Sequence, residues 1–263
     1  MRAEGSFWRV RPDKWLVPHA LIVSAARHLA VVAVFVLIAA VLLRFAEGLS
    51  WRGVIVGLAF YVAIAALILG SLHRHDRHKS FGSANVLTLL RAATTSLFFG
   101  ILSDFGLIRT LASNTELRWI LTVLGAVAFL LDGFDGRVAR RRGMATDFGA
   151  RFDMEADALL MVALALLVYS SGQTGAWVIV SGLLRYLFVI GGHFWTTLAA
   201  PLLPSGRRKI IYFVQMAILI VVLAPVIAPE LGWMLCAVGL SLLGCSFGAD
   251  CLRLATRARD RLK

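Results

Sequence analysis

The chain has 263 residues, 59% of them hydrophobic and only 16% charged, with a mean hydropathy of +0.81. That composition excludes a soluble globular domain and points to an integral membrane protein. The formal charge of +12 raises nucleic acid as a partner, but the basic residues sit in short clusters between apolar runs. Such clusters suit an anionic inner leaflet better, so membrane lipids are expected as partners and nucleic acid is not.

Residues 1–28 mix Phe7, Trp8, Trp15 and Leu16 with Arg2, Arg9, Arg11, Lys14 and Arg27, and Pro12 and Pro18 divide the segment. They read as an interfacial anchor on the membrane, with a solvated basic tail as the competing reading. No cleavable signal peptide is expected, because the first apolar run is long enough to span and lacks a small-residue cleavage site. Apolar runs of spanning length follow at about 29–47, 52–72, 85–104, 117–138, 150–171, 175–195, 209–228 and 232–252. The expected fold is therefore all-α, a polytopic membrane bundle of about eight transmembrane helices. Residues 29–79 hold two of these spans, 80–256 the other six and 257–263 a basic tail.

Loop charges set the expected orientation. Twenty-one Lys and Arg fall on one side of these spans, while Arg44, Arg52, Arg109 and Arg118 fall on the other. The basic side is expected to be cytoplasmic, which puts both termini there in a multi-pass protein of the inner membrane.

The first two spans carry no charge in their middles and read as packing helices. The connecting segment holds His73, His75 and His78 beside Asp76; a zinc site and a solvated basic loop both fit, and the loop is favoured because no further ligands lie nearby. The third span opens SANVLTLLRAATTS, with Asn85, Thr88 and Arg91 at i, i+3 and i+6. These residues either line the bundle interior, or Ser83 or Asn85 caps the helix while Arg91 snorkels to the interface. Arg185, inside a later span, needs a carboxylate, a phosphate or water. The PSGRRK segment sets Ser205, Arg207, Arg208 and Lys209 at a helix start, which fits either a phosphate site or an ordinary cytoplasmic basic cluster. Cys236, Cys245 and Cys251 share one span without metal-ligand spacing and read as buried apolar fillers. No P-loop, GxGxxG, GxSxG or HExxH motif occurs.

The densest chemistry lies at 132–157, DGFDGRVARRRGMATDFGARFDMEAD, which holds six of the fifteen acidic residues. On a helix Asp132 and Asp135 share one face, and on the next helix Asp153 and Asp157 share another, with Gly149 one turn before Asp153. Two facing pairs of carboxylates make a hard-oxygen cage of the kind taken by magnesium, manganese or calcium, and without a cation they would repel.

As spacing the stretch is D-x2-D-G-x2-A-R-x8-G-x3-D-x3-D, filled by Asp132, Asp135, Gly136, Ala139, Arg140, Gly149, Asp153 and Asp157. This resembles the CDP-alcohol phosphatidyltransferase family, and the resemblance reaches more weakly to NVLTLLR upstream and SGRRK downstream, over roughly 80–255. It implies transfer of a substituted phosphoryl group from a CDP-linked lipid such as CDP-diacylglycerol to a small alcohol acceptor, with release of CMP. It further implies divalent metal ions, Mg2+ or Mn2+ and two in number, and a homodimer. It also implies that 80–256 is a six-helix catalytic domain and that the first two helices are accessory. By position, Asp132, Asp135 and Asp153 look like metal ligands and Asp157 like a further ligand or the general base. Gly136, Arg140 and Gly149, with Asn85 and Thr88, look like the CDP-binding set. Arg185, Ser205, Arg207, Arg208 and Lys209 are candidates to hold an acceptor phosphate, as in glycerol 3-phosphate or inositol phosphate. Members that transfer to glycerol phosphate tend to carry Pro and Lys in the last aspartate motif, where this chain reads FDMEADAL, and Glu155 has no role in the pattern. Two competing functions are a cation transporter or channel, whose acids would spread through the membrane depth, and a non-catalytic CDP-lipid-binding protein.

Overall fold

A computed structural model of the chain describes residues 19–72, 81–142, 147–194 and 205–260, with backbone alone at 132–142, 147, 192–194, 254–255 and 257–260. The expected histidine cluster at 73–78 and the aromatic segment up to Pro18 lie outside the described residues. Among the described residues the chain is helical, with no strand. The helices are α1 His19–Glu47, α2 Trp51–Ser71, α3 Ser83–Leu102, α4 Phe105–Thr110, α5 Thr115–Arg142, α6 Asp147–Ser170, α7 Ile179–Phe194, α8 Gly206–Leu223 and α9 Pro229–Asp260. The protein is an all-α polytopic membrane bundle. Within the described residues α1, α2, α3 and α9 are long and apolar enough to cross a bilayer.

Eight long helices match the eight expected spans, and the differences have local causes. Helix α1 already includes His19, ten residues before the expected span, and its first described turns are tied to the bundle: Leu21 and Ala25 are buried and Ser24 Oγ accepts the Phe81 amide. Helix α9 runs on to Asp260, since its Arg, Ala and Leu residues are good helix formers that continue into the basic tail. The short α4 was not expected; Asp104 makes it, accepting the Gly106 and Leu107 amides at its N-terminus. Cys236 is buried as expected, but Cys245 is exposed, on a strip of α9 that also shows Leu242, and Cys251 is only partly buried.

Helix α3 is the hub: α1, α2, α5 and α6 all pack on it, while α8 joins α5, α6 and α9. Small residues set the closest approach. A Cβ on Gly100 of α3 would stand 2.7 Å from the Gly53 carbonyl oxygen of α2, and one on Gly57 would stand 3.1 Å from the Ser96 carbonyl oxygen. This small-xxx-small crossing brings backbones into contact where lipid gives no hydrophobic push between helices. Gly125 of α5 marks a second convergence, since a Cβ there would meet Leu164 of α6 at 3.3 Å, Ile220 of α8 at 3.4 Å and Phe98 of α3 at 3.9 Å. Four helices therefore meet at one depth.

At the far end of the bundle, polar side chains are spent on backbone. Arg118, expected in a loop, is buried at the start of α5, where Nε and Nη2 donate to the Leu223 and Ala224 carbonyls that end α8, at 3.1 and 3.0 Å. Gln173 donates to the Ile227 carbonyl at 3.1 Å, and Asp104 accepts the Ser50 amide that opens α2 at 2.7 Å. Burial works against ionisation of Asp104, but the Ser50, Leu107 and Gly106 amides outweigh it and hold its carboxyl below the usual range.

Candidate functional site

The opposite end of the bundle gathers the N-termini of α3, α6 and α8 and the C-termini of α5 and α9. Its centre is Arg91, the largest fully buried side chain in the described bundle. Asn85, Thr88, Arg91 and Thr95 recur at helical spacing on α3 and are all buried, so Arg91 does not snorkel to an interface. Nor do Ser83 or Asn85 cap the helix: the cap position is Gly82, and Asn85 Nδ2 instead donates to the Phe81 carbonyl. Thr88 Oγ1 donates to the Ala84 carbonyl at 3.2 Å.

Arg91 joins the two aspartates of α6. Nη1 donates to Asp153 Oδ1 at 2.8 Å, and Nη2 is paired with Asp157 Oδ1. The spacing is why one guanidinium reaches both: residues four apart on α6 stack one turn above the other, and the planar fork spans that turn. The carboxylates keep a path to the aqueous end, with Asp153 38% and Asp157 20% exposed. Gly149 stands one turn before Asp153 at the half-buried start of α6.

Asp132, Asp135, Gly136 and Arg140 lie on the last turns of α5, where the structure describes backbone and the side chains lie outside the described residues. Helix register nevertheless sets their depth. Counted from the four-helix contact, Arg91 lies seven residues from Phe98, Asp157 seven from Leu164 and Asp132 seven from Gly125, all toward the same end. At about 1.5 Å per residue, Arg91, Asp157 and the α5 backbone at Asp132 share one level, roughly 10 Å beyond that contact. Asp135 and Asp153 follow one turn nearer the end.

Among the described residues no three His, Cys, Asp or Glu side chains gather, and the side chains of the α5 aspartates lie outside them. The donor set fits a divalent ion. Carboxylate oxygens are the ligands preferred by Mg2+ and Mn2+, and the α6 pair, Asp153 and Asp157, supplies donors of that kind beside Arg91.

The remaining expected residues divide into two places. On α8, Ser205 is the N-cap without a side-chain hydrogen bond, Lys209 is exposed, and Arg207 and Arg208 bracket Asp250 of α9. The Phe129–Phe213 ring contact at 4.1 Å sets the register of α5 against α8. Five residues from each ring are residue 134 and Arg208, so these arginines are level with the turn that carries Asp135. Arg185 sits elsewhere: it pairs with Glu155 between α6 and α7. Glu155 lies about 200° around α6 from Asp153 at 100° per residue, so that pair is not brought together with the aspartate face. It gives Glu155 a partner that sequence spacing did not supply. Asp250 is the polar residue that sequence reading missed, although an acid inside an apolar span was a visible signal.

The family model for CDP-alcohol phosphatidyltransferase matches residues 81–243, more than half of the chain. The chain belongs to the CDP-alcohol phosphatidyltransferase family. The match begins at Phe81, so α1 and α2 lie outside the family region and α3, with Arg91, opens it. Among curated proteins the chain is similar to a probable phosphatidylglycerophosphate synthase of Mycobacterium tuberculosis strain CDC 1551 / Oshkosh and to one of the same name in strain ATCC 25618 / H37Rv. Each is 36% identical over 106 residues, which cover 40% of this chain and 48% of the relative. The chain thus spans about half the length of the curated relatives it matches. No solved structure matches it.

Proposed function

We propose that this protein transfers a phosphatidyl group from a CDP-linked lipid, such as CDP-diacylglycerol, to an alcohol in phospholipid synthesis, releasing CMP. The observation that carries the reading is the buried Arg91 fork on Asp153 and Asp157, at the depth of Asp132, within a region that matches the family. In this reading the site and both termini face the cytoplasm, and the active form is a homodimer in the inner membrane.

Asp132, Asp135, Asp153 and Asp157 would hold two divalent cations, Mg2+ or Mn2+. When bound, the ions supply charge neutralisation on the diphosphate and polarise the phosphorus under attack. The chain's own residues do the rest. Arg91 fixes the α6 carboxylates in one orientation, so little reorganisation accompanies reaction. Asp157, the deeper of the pair, takes the proton of the incoming hydroxyl as its oxygen attacks phosphorus and the bond to CMP breaks. Gly136 and Gly149 leave backbone open to the nucleotide, and Arg140, Asn85 and Thr88 complete its binding set.

Arg207, Arg208 and Lys209 at the N-terminus of α8 hold an acceptor phosphate in this reading, which makes glycerol 3-phosphate the first acceptor to test. The name of the mycobacterial relatives supports that choice, and the FDMEADAL sequence, without Pro or Lys, argues for testing inositol phosphate beside it. The experiment is CMP release from CDP-diacylglycerol by the purified protein in detergent with Mg2+, against a panel of phosphorylated and unphosphorylated alcohols. Release that depends on both Mg2+ and a phosphorylated alcohol is expected. Metal-dependent ion flux without CMP release would refute the proposal in favour of a transporter.

A further inference from the structure

Asp250 is the acid that neither the repeated aspartate spacing nor the Arg91 pair uses. It lies two turns before Arg257 on α9, is only 4% exposed, and faces the start of α8. Oδ1 accepts from Arg207 Nη2 at 2.9 Å, and Oδ2 stands 3.6 Å from Arg208 Nε. One turn earlier on α9, the Ser246 carbonyl accepts from the same Arg207 Nη2 at 3.2 Å. One buried carboxylate and one carbonyl thus grip two successive arginines from the bundle side. The arginines themselves are 37% and 24% exposed, so their outer edges reach the aqueous end.

A lone structural ion pair would cancel its own charge. Here one carboxylate meets two guanidiniums, with the exposed Lys209 beside them at the start of α8, where the helix N-terminus also favours an anion. Arginine has a flexible stem and a rigid fork, and anchoring one edge of the fork aims the other. We propose that Asp250 is a positioning residue: it holds Arg207 and Arg208 as a pre-formed receptor for the phosphate of the acceptor, level with the turn of Asp135. This rests on the proposed acceptor role of the two arginines and assigns a residue from a different helix to make that role possible. It also commits the C-terminal part of α9, beyond the family match at residue 243, to acceptor recognition.

The test uses the full-length protein in detergent and two probes, glycerol 3-phosphate and inorganic phosphate, with binding measured by equilibrium dialysis and the KM values measured by CMP release. Asp250→Asn keeps the shape and removes the charge; Asp250→Glu keeps the charge. Expected for Asp250→Asn is a loss of roughly tenfold or more in probe affinity and a matching rise in acceptor KM, with the KM for CDP-diacylglycerol unchanged as proof of folding. Asp250→Glu is expected to regain most of that loss, which a merely structural role would not require. Loss of probe binding in an Arg207→Ala/Arg208→Ala variant, with Asp250→Asn unchanged or tighter, overturns the inference and leaves the acceptor reading standing. Donor and acceptor KM rising together in Asp250→Asn also overturns it. Wild-type protein that binds neither probe, nor inositol phosphate in the same dialysis, overturns the phosphate-acceptor reading and this inference with it.

Discussion

Replacing Arg91 by methionine tests the centre of the site without reference to catalysis. Methionine fills much of the same volume, so the change isolates the charge and its hydrogen bonds. Removing one partner of a buried ion pair costs about 3–5 kcal/mol, because the other charge is left uncompensated. Arg91 itself is fully buried, but Asp153 and Asp157 retain 38% and 20% exposure, so water relieves part of the penalty. The lower end, about 3 kcal/mol, is therefore expected, a fall in Tm of about 6–12 °C for a chain of this size. The assay is thermal unfolding in detergent with chelator present, followed by tryptophan fluorescence. Adding Asp153→Asn/Asp157→Asn to Arg91→Met should cost less than the sum of the separate effects, since the triple variant removes both sides of the pair. Millimolar Mg2+ should raise the Tm of Arg91→Met more than that of the wild type, because the freed carboxylates lack a counter-charge. A Tm within 1 °C of wild type, or strict additivity, would refute the buried fork.

Three further outcomes are expected. Asp157→Asn should lower Tm less than Arg91→Met, because Arg91 keeps Asp153, yet lose about 10²–10⁴-fold in CMP release, the range for loss of a positioned acid or base; undiminished release would remove Asp157 from proton transfer. Asp104→Asn probes the far end through pH. The folded carboxyl is held below its ordinary value, so its contribution is fully present above the unfolded pKa of about 4 and fades as pH falls through the lower folded value. The Tm gap between wild type and Asp104→Asn should therefore be constant near neutrality and close below pH 4, and a gap that widens on acidification would reverse the sign. Gly100→Leu should lower Tm by wedging α2 from α3, at about 1–3 kcal/mol for an overpacked contact, whereas Gly70→Leu, whose Cβ would meet nothing within 4 Å, should not; equal effects of the two would contradict the close crossing.

Much of this was legible in the sequence because membrane helices are written in long apolar runs and charge is conspicuous against them. An all-α membrane bundle, with its long helices near the expected runs, follows from run length and helical spacing. Arg91 was readable only as two alternatives, since i, i+3, i+6 spacing states that residues share a face but not what the face meets. The answer came from parallel packing of α3 and α6, a tertiary fact that puts Asp153 and Asp157 opposite. Arg185 illustrates the converse: an arginine in a span needs a partner, but spacing cannot say that the partner is Glu155 on the opposite side of α6 from the aspartate face. Asp250 and the α8 arginines are 42 and 43 residues apart in sequence, beyond any local pattern, and meet because α8 and α9 form an antiparallel pair.

The two ends of the bundle treat polar groups differently, and the difference bears on where chemistry can occur. At the far end Arg118 and Gln173 donate to carbonyls at and just beyond the end of α8, and Asn114 accepts the Leu117 amide that opens α5, so these bonds hold helix ends in place. At the other end charged side chains meet charged side chains: Arg91 with Asp153 and Asp157, Arg207 and Arg208 with Asp250. Backbone partners cannot be exchanged without disturbing a helix terminus. Ion pairs can trade one partner for a cation or a phosphate at little structural cost, provided one member stays anchored in the bundle. Arg91 and Asp250 are those anchors, one cationic and one anionic, each nearly or fully buried beneath partners that still touch water. A site that must bind both metal cations and a phosphate anion needs fixed charges of both signs, and this end of the bundle supplies them on separate helices.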